Sequence, residues 1–85
     1  MAEEKVGEVS KYFAKMGVAG IQVEAGSLRV GDEIHIKGHT TDFTQQVESM
    51  QLENMTVDKA GPGELVGIKV KDRVREKDEV FKVSE

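Results

Sequence analysis

Residues Glu33-Ile34-His35-Ile36-Lys37 alternate polar and apolar without exception, and Leu28-Arg29-Val30-Gly31-Asp32 leads into them. This alternation is the strongest constraint in the chain, because it fits a strand with one buried face and does not fit a helix. Gly31 suits a turn position with positive φ, and the Asp32 carboxylate can accept a hydrogen bond from its own turn backbone. The same grammar recurs on both sides. Lys5 to Phe13 is rich in β-formers, and Lys15-Met16-Gly17 reads as a hairpin turn. Val18 to Val23 then aligns Ala19, Ile21 and Val23 on one face, and Ala25-Gly26-Ser27 breaks that strand.

Phe43 to Leu52 carries an anomaly. Phe43 and Val47 have odd parity but Met50 and Leu52 even, so if all four face the core the register slips, and a β-bulge near Glu48-Ser49 accounts for it. Val57 to Glu64 contains Gly61-Pro62-Gly63, with proline and glycine placed as a type II turn requires. Leu65 to Val70 turns Val66, Ile68 and Val70 inward, Asp72 to Asp78 is a charged connection, and Val80 to Val83 closes the chain. The competing helix over Glu3 to Met16 rests on Val6, Val9 and Phe13, and Gly7 with the β-branched pair weighs against it. Adjacent Tyr12 and Phe13 point to opposite faces, so one ring lies outside the core or at its rim. No internal repeat, linker or low-complexity stretch is evident. Six short strands imply an all-β fold, a closed six-stranded barrel in which closure removes exposed edges. At 85 residues the chain has room for one domain, with its core over about residues 5–83.

Composition excludes several chemistries. There is no cysteine, hence no disulfide frame, thiolate metal site or thiol nucleophile. The charged start lacks a signal-peptide pattern, and no run approaches the roughly 18 apolar residues of a membrane helix, so the expectation is a soluble cytoplasmic chain without membrane contact. Ser10, Ser27, Ser49 and Ser84 have no nucleophile elbow. Glu3-Glu4, Asp32-Glu33 and Asp78-Glu79 are sequence neighbours that strands point apart, which suits solubility rather than acid–base catalysis. His35, His39, Asp32 and Asp42 match no recognised ligand spacing. The expectation is a non-catalytic binding module with no cofactor and no metal.

The ordered set Val6-Gly7-x-Val9, Leu28-x-Val30-Gly31-Asp32-x-Ile34-x-Ile36-x-Gly38, Val47-x-Ser49-Met50-x-Leu52 and Ala60-Gly61-Pro62-Gly63-Glu64-x-Val66-Gly67-Ile68 resembles the second domain of translational GTPases of the elongation factor Tu class. The resemblance runs from about Val6 to Val83 and makes this a short translation elongation factor-like chain. It implies a Greek-key barrel. No Gly-x-x-x-x-Gly-Lys-Ser/Thr loop is present, so nucleotide hydrolysis is not expected. Family members that deliver tRNA carry an acidic residue on the bent fourth strand, and the matching position is Gln51. That amide keeps hydrogen-bonding capacity without the carboxylate, which argues against delivery of charged tRNA.

Two stretches are candidate binding sites. Lys69, Lys71, Arg73, Arg75 and Lys77 all have odd parity, so while the strand lasts they leave one face, opposite Ile68, Val70 and Val74. Residues 69–77 hold five basic and two acidic side chains, a local +3 against −7 for the rest of a chain whose net charge is −4. Such a stripe can track an RNA backbone or lie as a solvated outer face. His39, Thr40 and Thr41 sit in the polar connection Gly38 to Asp42, which either presents donors to a ligand or satisfies its own turn. The expected partner is RNA or the ribosome, or alternatively another protein on which the barrel docks.

Overall fold

The computed structural model describes residues 2–84, which contain no helix. Ten strands follow in order: β1 (Ala2–Phe13), β2 (Val18–Val23), β3 (Leu28–Arg29), β4 (Glu33–Lys37), β5 (Asp42–Gln46), β6 (Met50–Leu52), β7 (Met55–Val57), β8 (Lys59–Ala60), β9 (Leu65–Lys69) and β10 (Glu79–Ser84). Eight of them form one sheet in the order β5-β4-β10-β1-β2-β9-β6-β7, and β3 pairs with β8 separately. Every pairing is antiparallel.

The expected alternation is present in β4, β5 and β9, and Ala19, Ile21 and Val23 of β2 share the buried face as expected. Ala19, Ile21, Val23, Ile34, Ile36, Val66, Ile68 and Val80 have no exposed surface, and they pack with Val6, Val9, Leu28, Val47 and Met50 into one core. The first segment is a strand and not a helix. It is bent by register shifts between Lys5 and Gly7 against β10 and between Val9 and Lys11 against β2. Gly7 lies at the first shift, where a Cβ would stand 2.1 Å from the Gln22 carbonyl oxygen. Of the adjacent rings, Phe13 is the outer one and Tyr12 packs against the core.

Six expected segments become ten strands for local reasons. A turn splits the third segment: the Asp32 amide donates to the Arg29 carbonyl (3.1 Å), Gly31 takes φ +98°, and Asp32 Oδ2 accepts from the Arg29 amide (2.9 Å). The fourth segment does slip register, but through a complete interruption at residues 47–49 rather than a bulge in a continuous strand. β5 pairs with β4, whereas β6 pairs with β7 and β9. A two-residue hairpin at Glu53-Asn54, both with positive φ, then creates β7. The Gly61 to Glu64 turn has the expected form, with Gly63 at φ +87° and the Glu64 amide donating to the Gly61 carbonyl (3.2 Å).

Two departures concern the whole sheet. The backbone ladder is open, with β5 and β7 as its edges among the described residues, so hydrogen bonds between strands do not close a six-stranded cylinder. The chain also contains a short repeat. Arg75-Glu76-Lys77-Asp78-Glu79-Val80 builds the same turn as Arg29-Val30-Gly31-Asp32-Glu33-Ile34, with the Arg75 amide donating to Asp78 Oδ2 (2.9 Å) and the Asp78 amide to the Arg75 carbonyl (3.1 Å). Each copy launches a strand, β4 and β10, and the two strands pair.

Candidate functional site

The sequence candidates separate into three places. Lys69 ends β9 and Lys71 follows it, on the wall of an open cleft of about 450 Å³ shared with Gln45, Gln46, Glu48 and Val70. Within that cleft Gln45 Nε2 donates to the Lys69 carbonyl (2.9 Å) and the Lys71 amide donates to Gln45 Oε1 (2.9 Å). Lys71 Nζ lies 5.9 Å from the centre of the Phe43 ring, within cation–π range. One glutamine side chain thus spans from β5 to the exit of β9, where the described residues make no strand pairing.

Arg73, Arg75 and Lys77 are not on a strand. The strand stops at Lys69, and the basic stripe becomes a connection pinned by buried Val74. Strict alternation ends there, since residues 71–73 and 75–77 are all exposed and only Val70, Val74 and Asp78 are buried. Lys77 adopts φ +74°, and its amide donates to the Val9 carbonyl (2.7 Å).

His39 joins Lys77, not Lys69, in a second depression with Lys5, Lys37, Glu8, Glu76, Asp78 and Glu79. Mixed charge at this rim weakens any uniform basic surface. The β4–β5 loop reaches it because Gly38 lies directly over Asp78, where a Cβ would clash with the carboxylate. Thr41 is buried and its carbonyl accepts from the Gly38 amide (2.7 Å), so it closes the loop; His39 and Thr40 are exposed.

Gln51 is apart from both groups. It is exposed on β6, in a row of cross-strand partners running Lys11, Gly20, Gly67, Gln51 and Thr56. Because Ala19, Ile21, Ile68 and Met50 point into the core, this row faces outward. The paired glycines are covered by neighbouring side chains: Gly20 is buried, with Lys11 Cβ 3.8 Å and Leu65 3.9 Å from where its Cβ would stand, and Val18 lies 3.3 Å from the equivalent point on Gly67. Leu65 and Phe13 flank this face and are 51% and 40% exposed.

His35 has a role that sequence spacing did not indicate. Its Nδ1 lies 3.0 Å from both Glu3 oxygens on β1 and its Nε2 faces Asp42 on β5, tying three strands across the outer surface. With a carboxylate at each nitrogen the imidazole donates both bonds only when protonated. The Asp42 hydrogen bond, then that of Glu3, accordingly raises its pKa above 6.5 against a smaller opposing effect of burial. Asp32 is occupied elsewhere, by the Arg29 amide and Lys82 Nζ (3.3 Å). Among the described residues no three His, Cys, Asp or Glu side chains form a group able to hold a metal.

An antiparallel all-β fold with these turns defines a class, and the family model of elongation factor Tu domain 2 matches residues 17–80. The chain belongs to that family. Among solved structures it superposes on the C-terminal domain of a putative U32 peptidase from Geobacillus thermoleovorans with a TM-score of 0.88 at 30% identity, covering 95% of this chain and 93% of that one. Its selenomethionine variant gives a TM-score of 0.85 at 30% identity over 91% and 96%. A collagenase of Porphyromonas gingivalis is 44% identical over 78 residues, 91% of this chain and 22% of the relative. An uncharacterized protease of Methanocaldococcus jannaschii is 38% identical over 82 residues, 95% and 20% respectively. The chain therefore spans about a fifth of the length of these curated relatives.

Proposed function

We propose that this chain is a non-catalytic docking module that works against a catalytic region of the U32 peptidase kind. The coverage carries the reading: more than nine-tenths of this chain corresponds to about a fifth of proteins named collagenase or protease, so there the module has a much larger neighbour. The outer face of β1, β2 and β9 is the contact surface in this reading. Phe13 and Leu65 supply exposed apolar area on this face, and Gln51 and Thr56 continue it with exposed polar groups. Interfaces between domains of one chain bury about 600–1,500 Å², a scale one sheet face can meet.

The barrel of the family is part of this proposal. The Gln45 bridge to Lys69 and Lys71 supports closure of the open ladder by a side chain instead of a strand pairing. A cytoplasmic setting and the lack of nucleotide hydrolysis also belong to it. The test mixes the purified chain with a U32 peptidase lacking its own matching C-terminal segment. Co-elution on gel filtration, lost in Leu65→Asp, supports the reading, and separate elution of the unmodified chain overturns it.

A second reading, RNA binding, is favoured by one observation: Lys69 and Lys71 meet in the same cleft. It requires affinity that falls with salt at a log–log slope of about −0.7 per phosphate neutralised. The net charge of −4 and the mixed rim at His39 and Lys77 weigh against it. A flat salt response with an oligouridylate removes this second reading and leaves the first intact.

A further inference from the structure

We propose that the free edge of β5 captures an extended peptide by strand addition, with the Gln45 side chain as the latch that holds the seam shut in its absence. The inference concerns the seam beside β5, not the outer face of β1, β2 and β9, and stands independently of docking there.

Register fixes which backbone groups of β5 are free. The β4–β5 ladder runs from Glu33↔Gln46 to Lys37↔Asp42, and beyond its two ends the Val47 amide donates to the Asp32 carbonyl and the Gly38 amide to the Thr41 carbonyl. Hydrogen-bonded pairs alternate in an antiparallel ladder, so Phe43 and Gln45 spend their N–H and C=O groups on β4. Those of Thr44 and Gln46 point the other way. Among the described residues no strand lies on that side of β5. The Gln46 carbonyl there accepts a 3.3 Å bond from the neighbouring Gln45 side chain.

The seam also states the chemistry of its occupant. Gln45 presents one amide, which donates to the Lys69 carbonyl and accepts from the Lys71 amide. Those are the two bonds that one residue of an added strand running parallel to β9 makes, through its own N–H and C=O, with the residues on either side of Val70. The side chain thus stands in for one strand residue at a vacant position. Edge strands are usually guarded by lysine, proline or a covering segment. Asp-Phe-Thr-Gln-Gln contains neither residue, and the Gln45 amide occupies this seam. An edge of five residues at about 3.3 Å each accommodates four to five residues of extended ligand. Lys69, Lys71 and Glu48 all line the seam, so a carboxylate on the ligand beside the two lysines strengthens binding.

The probe is a capped hexapeptide of alternating threonine and valine with one central glutamate, titrated into the isotope-labelled full chain and followed by amide NMR. Saturable shifts centred on Thr44, Gln46 and Lys71 are expected. Methylating the alternate peptide nitrogens that face β5 should weaken binding about tenfold, as loss of one or two hydrogen bonds implies. Replacing Gln45 by alanine should tighten binding several-fold, because the competing amide is gone; weaker binding in a folded Gln45→Ala chain overturns the latch. If that variant does not fold, the N-methyl comparison on the unmodified chain decides. Binding that survives methylation, shifts centred on Phe13 and Leu65, no saturable shift at all, or displacement of the peptide by an oligouridylate at the same amides would each overturn the proposal.

Discussion

Replacing Gly7 by alanine should damage this fold more than any other single added methyl group on a strand. A Cβ there would stand 2.1 Å from the Gln22 carbonyl oxygen, 3.0 Å from its carbonyl carbon and 3.2 Å from Val23 Cα. All three are backbone atoms of β2, so no side-chain rotation relieves the contact. Gly7 pairs with Val80 on one side and Val23 on the other, at the register shift that bends β1. Relief must therefore move β2 away from β1 and loosen the packing of Val6, Val9 and Ile21. Overpacking of this kind costs about 1–3 kcal/mol and more where the backbone cannot yield. For a chain this short each kcal/mol lowers Tm by about 4–8 °C. Gly20→Ala is the control, because its nearest neighbour would lie at 3.6 Å, an ordinary contact. Thermal and urea unfolding followed by circular dichroism should give a loss of at least about 2 kcal/mol for Gly7→Ala and under about 1 kcal/mol for Gly20→Ala. Equal effects in the two variants would refute the close approach of β1 and β2.

Three further expectations use the same unfolding assay. Ile36→Ala empties a position with no exposed surface and should cost about 2–5 kcal/mol. Lys77 pays for its φ of +74° at about 1–2 kcal/mol, so Lys77→Gly should be neutral to about 1 kcal/mol stabilising once the greater freedom of unfolded glycine is subtracted. The raised pKa of His35 makes its clamp fully formed below pH 6.5 and weaker as pH climbs through the raised value. The unmodified chain should therefore lose stability across that rise relative to His35→Gln, and parallel pH profiles for the two would contradict the clamp.

Strand faces were legible because alternation and glycine-marked turns are local signals. Ile34 and Ile36, Val66 and Ile68, and the Gly61 to Glu64 turn required nothing beyond near neighbours. The slip between Val47 and Met50 was visible as a parity change, although parity does not distinguish a bulge from the interruption that lets β6 choose new partners. The Glu53-Asn54 hairpin escaped notice because it has no glycine; Asn54, which tolerates left-handed backbone, was the available hint. The repeated turn was masked by Lys77 standing where the first copy has Gly31.

Site geometry was harder to read, because it depends on which distant segments meet. Five basic residues of one parity suggested a single stripe, but β9 ends at Lys69, and folding sends Lys77 to His39 and leaves Lys71 with Gln45. Gln45 and His35 gained roles from partners 24 to 32 positions away, a separation that no local pattern encodes.

Hydrogen exchange on this chain, free and mixed with a U32 peptidase lacking its matching C-terminal segment, tests the docking role most directly. Slowed exchange across the outer face of β1, β2 and β9, in the segments that carry Phe13 and Leu65, is the predicted footprint. Unchanged exchange throughout, or protection confined to the rim of His39 and Lys77, would contradict it.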